Sequence, residues 1–109
     1  MIIKKFDIVL VDFPFSDLTK IKKRPALVIN YLEGNNTLLC QITTKRRGIQ
    51  KYEISLPKEA CTGDIRFNSL IYVDMIFTLH KSLIYKKIGA IEDSKIKQSV
   101  NEKIKLVIK

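Results

Sequence analysis

The residues able to do chemistry are few in type. His80 is the only histidine, and Cys40 and Cys61 are the only cysteines, too few and too far apart for a disulfide framework or a zinc site. A histidine pair for acid–base catalysis is excluded, and the chain contains neither a Gly-rich phosphate loop nor a nucleophile elbow. His80, next to Lys81 near a strand end, reads as a surface histidine. What remains is arginine, lysine, hydroxyls and carboxylates, with cations bunched at Lys20, Lys22, Lys23 and Arg24 and again at Lys45, Arg46 and Arg47. That set suffices to cleave RNA, because RNA carries its own nucleophile. The 2′-hydroxyl attacks the adjacent phosphate once a base takes its proton and cations stabilise the pentacoordinate dianion. Arginine suits the second task, since its planar fork donates two parallel hydrogen bonds and keeps its charge. Composition permits this chemistry without singling it out.

The formal net charge of +9 over 109 residues points to nucleic acid, an acidic protein or an anionic membrane surface as partner. Hydrophobic residues make up 46 % and charged residues 28 %, a globular balance that fits one domain spanning residues 1–109. Asp7 and Asp12 interrupt the apolar run after Lys4 and Lys5, which argues against a signal peptide. No segment approaches the roughly 20 apolar residues of a membrane span. These features predict a soluble cytoplasmic protein with reduced thiols.

The elements that must position the chemistry follow from periodicity and turn residues. Phe6 to Phe13 reads as a strand ended by Pro14, followed by a polar loop running to Arg24. Pro25 starts a second strand, Ala26 to Asn30, and Glu33-Gly34-Asn35-Asn36 turns it back into Thr37 to Thr43. Lys45-Arg46-Arg47-Gly48 is a basic loop, Tyr52 to Leu56 a strand, and Thr62-Gly63-Asp64 a turn. Leu70 to Leu79 reads as a central strand, with a short one around Lys86 to Ala90. The period then changes: Ile96, Val100, Ile104 and Val107 recur at helical spacing behind Glu92, Asp93 and Ser94, which suit a helix N-terminus. The prediction is a mainly β (α+β) domain, a small barrel with a C-terminal helix.

Four blocks in order carry a resemblance. They are Asp7-Ile8-Val9-Leu10-Val11-Asp12-Phe13-Pro14-Phe15-Ser16-Asp17-Leu18, Lys22-Lys23-Arg24-Pro25-Ala26-Leu27-Val28-Ile29, Leu39-Cys40-Gln41-Ile42-Thr43-Thr44, and Val73-Asp74-Met75-Ile76-Phe77-Thr78-Leu79 with Lys81-Ser82-Leu83-Ile84 and Lys87-Ile88-Gly89 behind it. Together they resemble the MazF/PemK (Kid-like) toxins of type II toxin-antitoxin systems. The resemblance implies an SH3-like barrel of about five to seven strands and a homodimer. It also implies a metal-independent endoribonuclease of the mRNA-interferase type, needing no cofactor and cutting single-stranded RNA by 2′-hydroxyl attack. An acidic antitoxin would compete for the RNA groove. On the same basis Arg24 and Thr43 match the family's catalytic arginine and threonine, and Asp74 matches an acidic position proposed as the base. Ser16, Thr19, Lys20, Lys22, Lys23, Thr44, Lys45 and Arg46 would contact RNA. The sequence departs from many members at Ser16-Asp17-Leu18-Thr19-Lys20 in the first loop, and at Tyr72, Met75 and Phe77 in the late strand. Two other readings stand beside the nuclease: a toxin of the same fold that binds DNA gyrase, and a nucleic-acid-binding barrel without catalysis.

Overall fold

The computed structural model describes residues 2–14, 21–46 and 48–109. Seven strands and one long helix follow each other along the chain: β1 Asp7–Pro14, β2 Ile21–Tyr31, β3 Asn36–Thr43, β4 Glu53–Leu56, β5 Cys61–Gly63, β6 Ser69–His80, β7 Ile84–Ile91 and α1 Ser94–Val107. The strands form one antiparallel sheet in the order β4-β6-β3-β2-β1-β7-β5, curled into a half-barrel. The predicted mainly β barrel with a C-terminal helix is therefore the observed architecture. Short 3-10 turns link several strands. In the β2–β3 connection Gly34 and Asn35 both take positive φ, 78° and 72°, as the turn signal required.

Alternation along the strands sorts the core into two clusters on opposite faces of the sheet. Ile8, Leu27, Cys40, Ile71 and Val73 pack with Val100 of α1, and Ile96, Ile104 and Val107 join them from the same helix. Val9, Val11, Ala26, Val28, Leu39 and Ile84 form the second cluster, with Phe77 and Leu79 against it. Strand β6 serves both faces because of an irregularity. Cys40 pairs with Ile76 but Gln41 pairs with Tyr72, so Val73, Asp74 and Met75 bulge from the ladder. Three extra residues invert the alternation, and Ile71 and Phe77, both odd-numbered, end on opposite faces.

Two features differ from the sequence expectation. Strand β2 begins at Ile21 rather than at Pro25, since β1 offers backbone partners as far as Pro14↔Ile21. The charged Lys22-Lys23-Arg24 segment has no apolar alternation, which is why it reads as loop from sequence alone. The middle of the sheet is β2, with β6 lying second from one edge, and the short β5 edge strand lies where the sequence suggests only a turn. At Gly63, φ is 86° and a Cβ would collide with the Ile88 carbonyl oxygen, so glycine lets β5 lie against β7.

The helix N-terminus is capped as the sequence suggested, with the Asp93 carboxylate accepting from the Lys95 and Ile96 backbone N–H groups at 2.8 and 3.1 Å. Asp93→Ala is expected to lower the unfolding free energy by about 1 kcal/mol, read as a shift of the urea midpoint, with Asp93→Asn close to wild type. An unchanged midpoint for Asp93→Ala would show that tertiary packing alone holds the helix start.

Candidate functional site

A cleft of about 550 Å³ opens beside the middle of the sheet. Its position follows from the ladders around it. The β2–β3 ladder stops at Ala26↔Gln41, next to Pro25, which has no N–H to donate. Beyond that point β2 stays paired with β1 to Ile21, and β3 stays paired with β6 to Thr43. Continuing the interrupted register by two residues sets Arg24 opposite Thr43, and both side chains' residues line the cleft. The apolar wall comes from the helix-side core, through Ile8, Ile42 and Leu56.

Cations dominate the polar lining. Lys23, Arg24, Lys45 and Arg66 face one carboxylate, Asp64. Asp64 and Arg66 form a two-pronged pair at 3.2 and 3.3 Å on the surface. The Arg66 hydrogen bonds and charge hold the Asp64 carboxyl below its usual range, and Asp64 in turn raises Arg66. Lys23 sits 3.4 Å from Asp12 and 4.5 Å from the centroid of the Tyr85 ring. Thr43 is buried, and its Oγ accepts from the Lys45 backbone N–H at 3.1 Å. Accepting through a lone pair leaves the hydroxyl proton available as a donor.

Of the residues singled out in the sequence, the structure thus gathers Arg24, Thr43, Lys23, Thr44 and Lys45 around one cleft. Lys22 lies on β2 opposite Phe13. Ser16, Thr19 and Lys20 fall outside the described residues. Arg46 does not line the cleft; it grips Glu53 with both prongs, at 3.0 Å from Nε and 2.9 Å from Nη2, and the Tyr72 hydroxyl donates to the same carboxylate at 2.8 Å. Asp74 also lies away from the cleft, on the β6 bulge, half-buried, with one carboxylate oxygen buried and without a hydrogen-bond partner. His80 is exposed at the end of β6, where its Nδ1 meets the Ser82 hydroxyl at 2.9 Å.

The segment after β5 also belongs to the site, which the sequence pattern does not indicate. Asp64, Arg66, Phe67 and Ser69 all line the cleft. The available signal was an aromatic beside an arginine in a polar turn, a pattern that periodicity does not register. Among the described residues no group of three or more His, Cys, Asp or Glu could hold a metal ion, and no helix is long and apolar enough to cross a membrane.

Neither thiol is built for chemistry. Burial pushes the Cys40 thiol up to about 12, and burial raises Cys61 as well. A thiol with its pKa raised is almost wholly protonated at pH 8, so Cys40 should resist iodoacetamide in the folded protein and react once the chain is unfolded in guanidinium. Mass mapping of the labelled peptides checks this; rapid Cys40 labelling under native conditions would contradict the packed site.

Comparison with known proteins adds independent findings. The family model described as "PemK-like, MazF-like toxin of type II toxin-antitoxin system" matches residues 4–108. Compared by sequence with curated proteins, the chain matches none. Solved structures match over nearly the full length. MazF in a MazE-MazF crystal structure from Deinococcus radiodurans superposes with a TM-score of 0.78 at 16% identity, covering 99% of this chain and 97% of the other. An endoribonuclease in complex with its cognate antitoxin, from a mycobacterial species, gives 0.75 at 14% identity, covering 98% and 95%. The Mycobacterium tuberculosis toxin MazF-mt6 gives 0.71 at 19% identity, covering 93% and 94%. At such identities the structural likeness speaks for the fold.

Proposed function

Because this chain belongs to the PemK-like, MazF-like toxin family of type II toxin-antitoxin systems, we propose that it is an endoribonuclease toxin that cuts single-stranded RNA without a metal or other cofactor. The observation carrying the proposal is that Arg24 and Thr43, on different strands, line one cleft whose other charged members are mostly cations. Solved relatives include an endoribonuclease held in complex with its cognate antitoxin, which supports the same reading.

In this reaction the 2′-hydroxyl oxygen, its proton taken by the base, attacks the neighbouring phosphorus while the 5′-oxygen leaves and takes a proton from water, giving a 2′,3′-cyclic phosphate and a 5′-hydroxyl. Arg24 stabilises the dianionic phosphorane through its fork, and Thr43 donates its hydroxyl proton to a non-bridging oxygen. Lys23 and Lys45 draw the phosphate backbone in, and Thr44 adds a neutral donor. Ser16, Thr19, Lys20 and Lys22 extend that contact in the proposal. Arg46 contributes less as a free cation, since Glu53 already takes both of its prongs. The base role that the resemblance implies for Asp74 requires the RNA strand to reach the β6 bulge, because Asp74 does not line the cleft with Arg24 and Thr43.

The active species is proposed to be a homodimer. Met75 on the β6 bulge is 50% exposed and Leu83 is 40% exposed, apolar side chains that a partner subunit would cover. The partner in regulation is an acidic antitoxin segment, which matches a +9 protein by charge.

Cleavage should continue undiminished in excess chelator and stop on substrates carrying 2′-methoxy at the cut site. Loss in EDTA with rescue by magnesium would overturn the mechanism. Arg24→Ala should cost about 3–4 kcal/mol in single-turnover rate, the scale of losing an oxyanion donor, while RNA affinity changes far less. Arg24→Lys should restore little, since an ammonium lacks the fork geometry; Thr43→Ala should be milder. Asp74→Asn should slow the chemical step at unchanged affinity, and an unchanged rate would strike Asp74 from the mechanism. A folded Arg24→Ala protein, verified by thermal melt, that cuts near the wild-type rate would remove Arg24. Sedimentation at micromolar concentration tests the dimer, and a monomer alone would count against it.

A further inference from the structure

Phe67 is 69% exposed although it lines the cleft among cations, an unusual place for a large apolar ring. Its backbone, by contrast, is held on both sides. Gly63 anchors the end of β5 against β7, and the Asp64–Arg66 pair staples the turn that follows. The Asn68 side-chain carbonyl accepts from the Lys58 backbone N–H at 3.0 Å, and the Ser69 hydroxyl donates to the Phe67 carbonyl at 3.2 Å. A ring presented to solvent from a fixed backbone is organised before anything binds it. Nothing in the core accounts for it, since Phe67 belongs to neither apolar cluster.

We propose that Phe67 is a stacking platform for one base of single-stranded RNA, with Lys45 holding a phosphate of the same strand and Arg66, engaged by Asp64, fixing the turn that presents the ring. The inference rests on the RNA-cleaving reading and adds to it a base-binding subsite in the segment after β5. An aromatic face interleaved with cations is the arrangement by which proteins hold single strands: the cations follow the backbone, and stacking accepts any base because each has a π-face. The cleft volume of about 550 Å³ is of the size that takes a small ligand, enough for a base with its sugar. Cations outnumber carboxylates in the lining, which favours an anionic occupant. An acidic peptide would satisfy the charges but would leave the ring face without a matching group, which favours RNA. Stacking here also gives the site a grip that is insensitive to salt, unlike the lysine contacts.

The test uses an oligoribonucleotide blocked at the cut site by 2′-methoxy, scanned with single abasic positions. Wild-type protein should lose about tenfold in affinity at one position, the scale of a lost base–aromatic stack. Phe67→Ala should lose about the same from the intact strand and show no further loss at that position, while Phe67→Trp restores binding. 2-Aminopurine placed there should be quenched by wild type and not by Phe67→Ala. The slope of log affinity against log salt should be unchanged in Phe67→Ala and shallower by about one in Lys45→Ala. Thermal melts confirm that the variants fold. Phe67→Ala binding RNA as wild type does, or losing affinity only for an acidic peptide, would overturn the stacking site while RNA cleavage by the wild type stood. A wild-type chain that neither binds nor cuts RNA would overturn both readings.

Discussion

Strand β2 is hydrogen-bonded on both sides over part of its length, and the arrangement of everything else depends on where that double pairing stops. With β1 it pairs from Ile8↔Leu27 to Pro14↔Ile21; with β3 it pairs only from Tyr31↔Thr37 to Ala26↔Gln41. Backbone polar groups must find partners or water. Pro25 cannot donate, so it is the natural point at which β2 lets go of β3. The two strands then follow different neighbours, β2 with β1 and β3 with β6, and the cleft forms beside the parting. A residue conspicuous in the sequence for interrupting a strand thereby determines where the sheet is open.

The charges at and near that opening are not all unpaired. Some are tied into pairs: Arg46 with Glu53, Arg66 with Asp64, Lys23 with Asp12. The Asp64 and Asp12 pairs are exposed and add little to stability, whereas the Glu53 carboxylate is only 9% exposed; the structural effect of all three is to orient loops. The Arg46–Glu53–Tyr72 connection ties the basic loop to β4 and β6, and Lys103 of α1 donates to the Glu53 carbonyl at 2.9 Å. The Asp64–Arg66 pair does the same for the segment that carries Phe67. Because carboxylates are outnumbered, the local field stays positive even after these pairs form. A strand of phosphates meets both an attractive field and loops whose positions are already set.

The likeness to proteins at 14–19% identity has a physical basis in how little this architecture asks of individual residues. Two apolar faces, a β6 bulge that inverts alternation and a terminal amphipathic helix are satisfied by many aliphatic combinations. The residues that depart from the family pattern take defined places in the fold: Tyr72 is buried with its hydroxyl on Glu53, Met75 is exposed on the bulge, and Phe77 packs on the second apolar cluster.

Local pattern was sufficient for much of the architecture. The turn at Gly34-Asn35, the strands around Val9, Cys40, Ile54 and Ile88, and the Asp93-capped helix are written in period and turn chemistry, because each depends on residues a few positions apart. Arg24, Thr43 and Lys45 were legible as candidates through the order of four sequence blocks, although not their meeting. Their shared cleft comes from strand register, a relation between residues distant along the chain that no local period encodes. The same reason hid three further features. The start of β2 at Ile21 depends on β1 supplying partners, the opposite facing of Ile71 and Phe77 depends on the bulge against β3, and the arrival of Arg66 and Phe67 at the cleft depends on Gly63 letting β5 lie on β7. Sequence alone thus determined the apolar and turn pattern, the surplus of positive charge and the family. Which cations share a cleft, which are occupied by carboxylates and which aromatic stands beside them were decided by the tertiary structure, since backbone pairing across the sheet sets those distances.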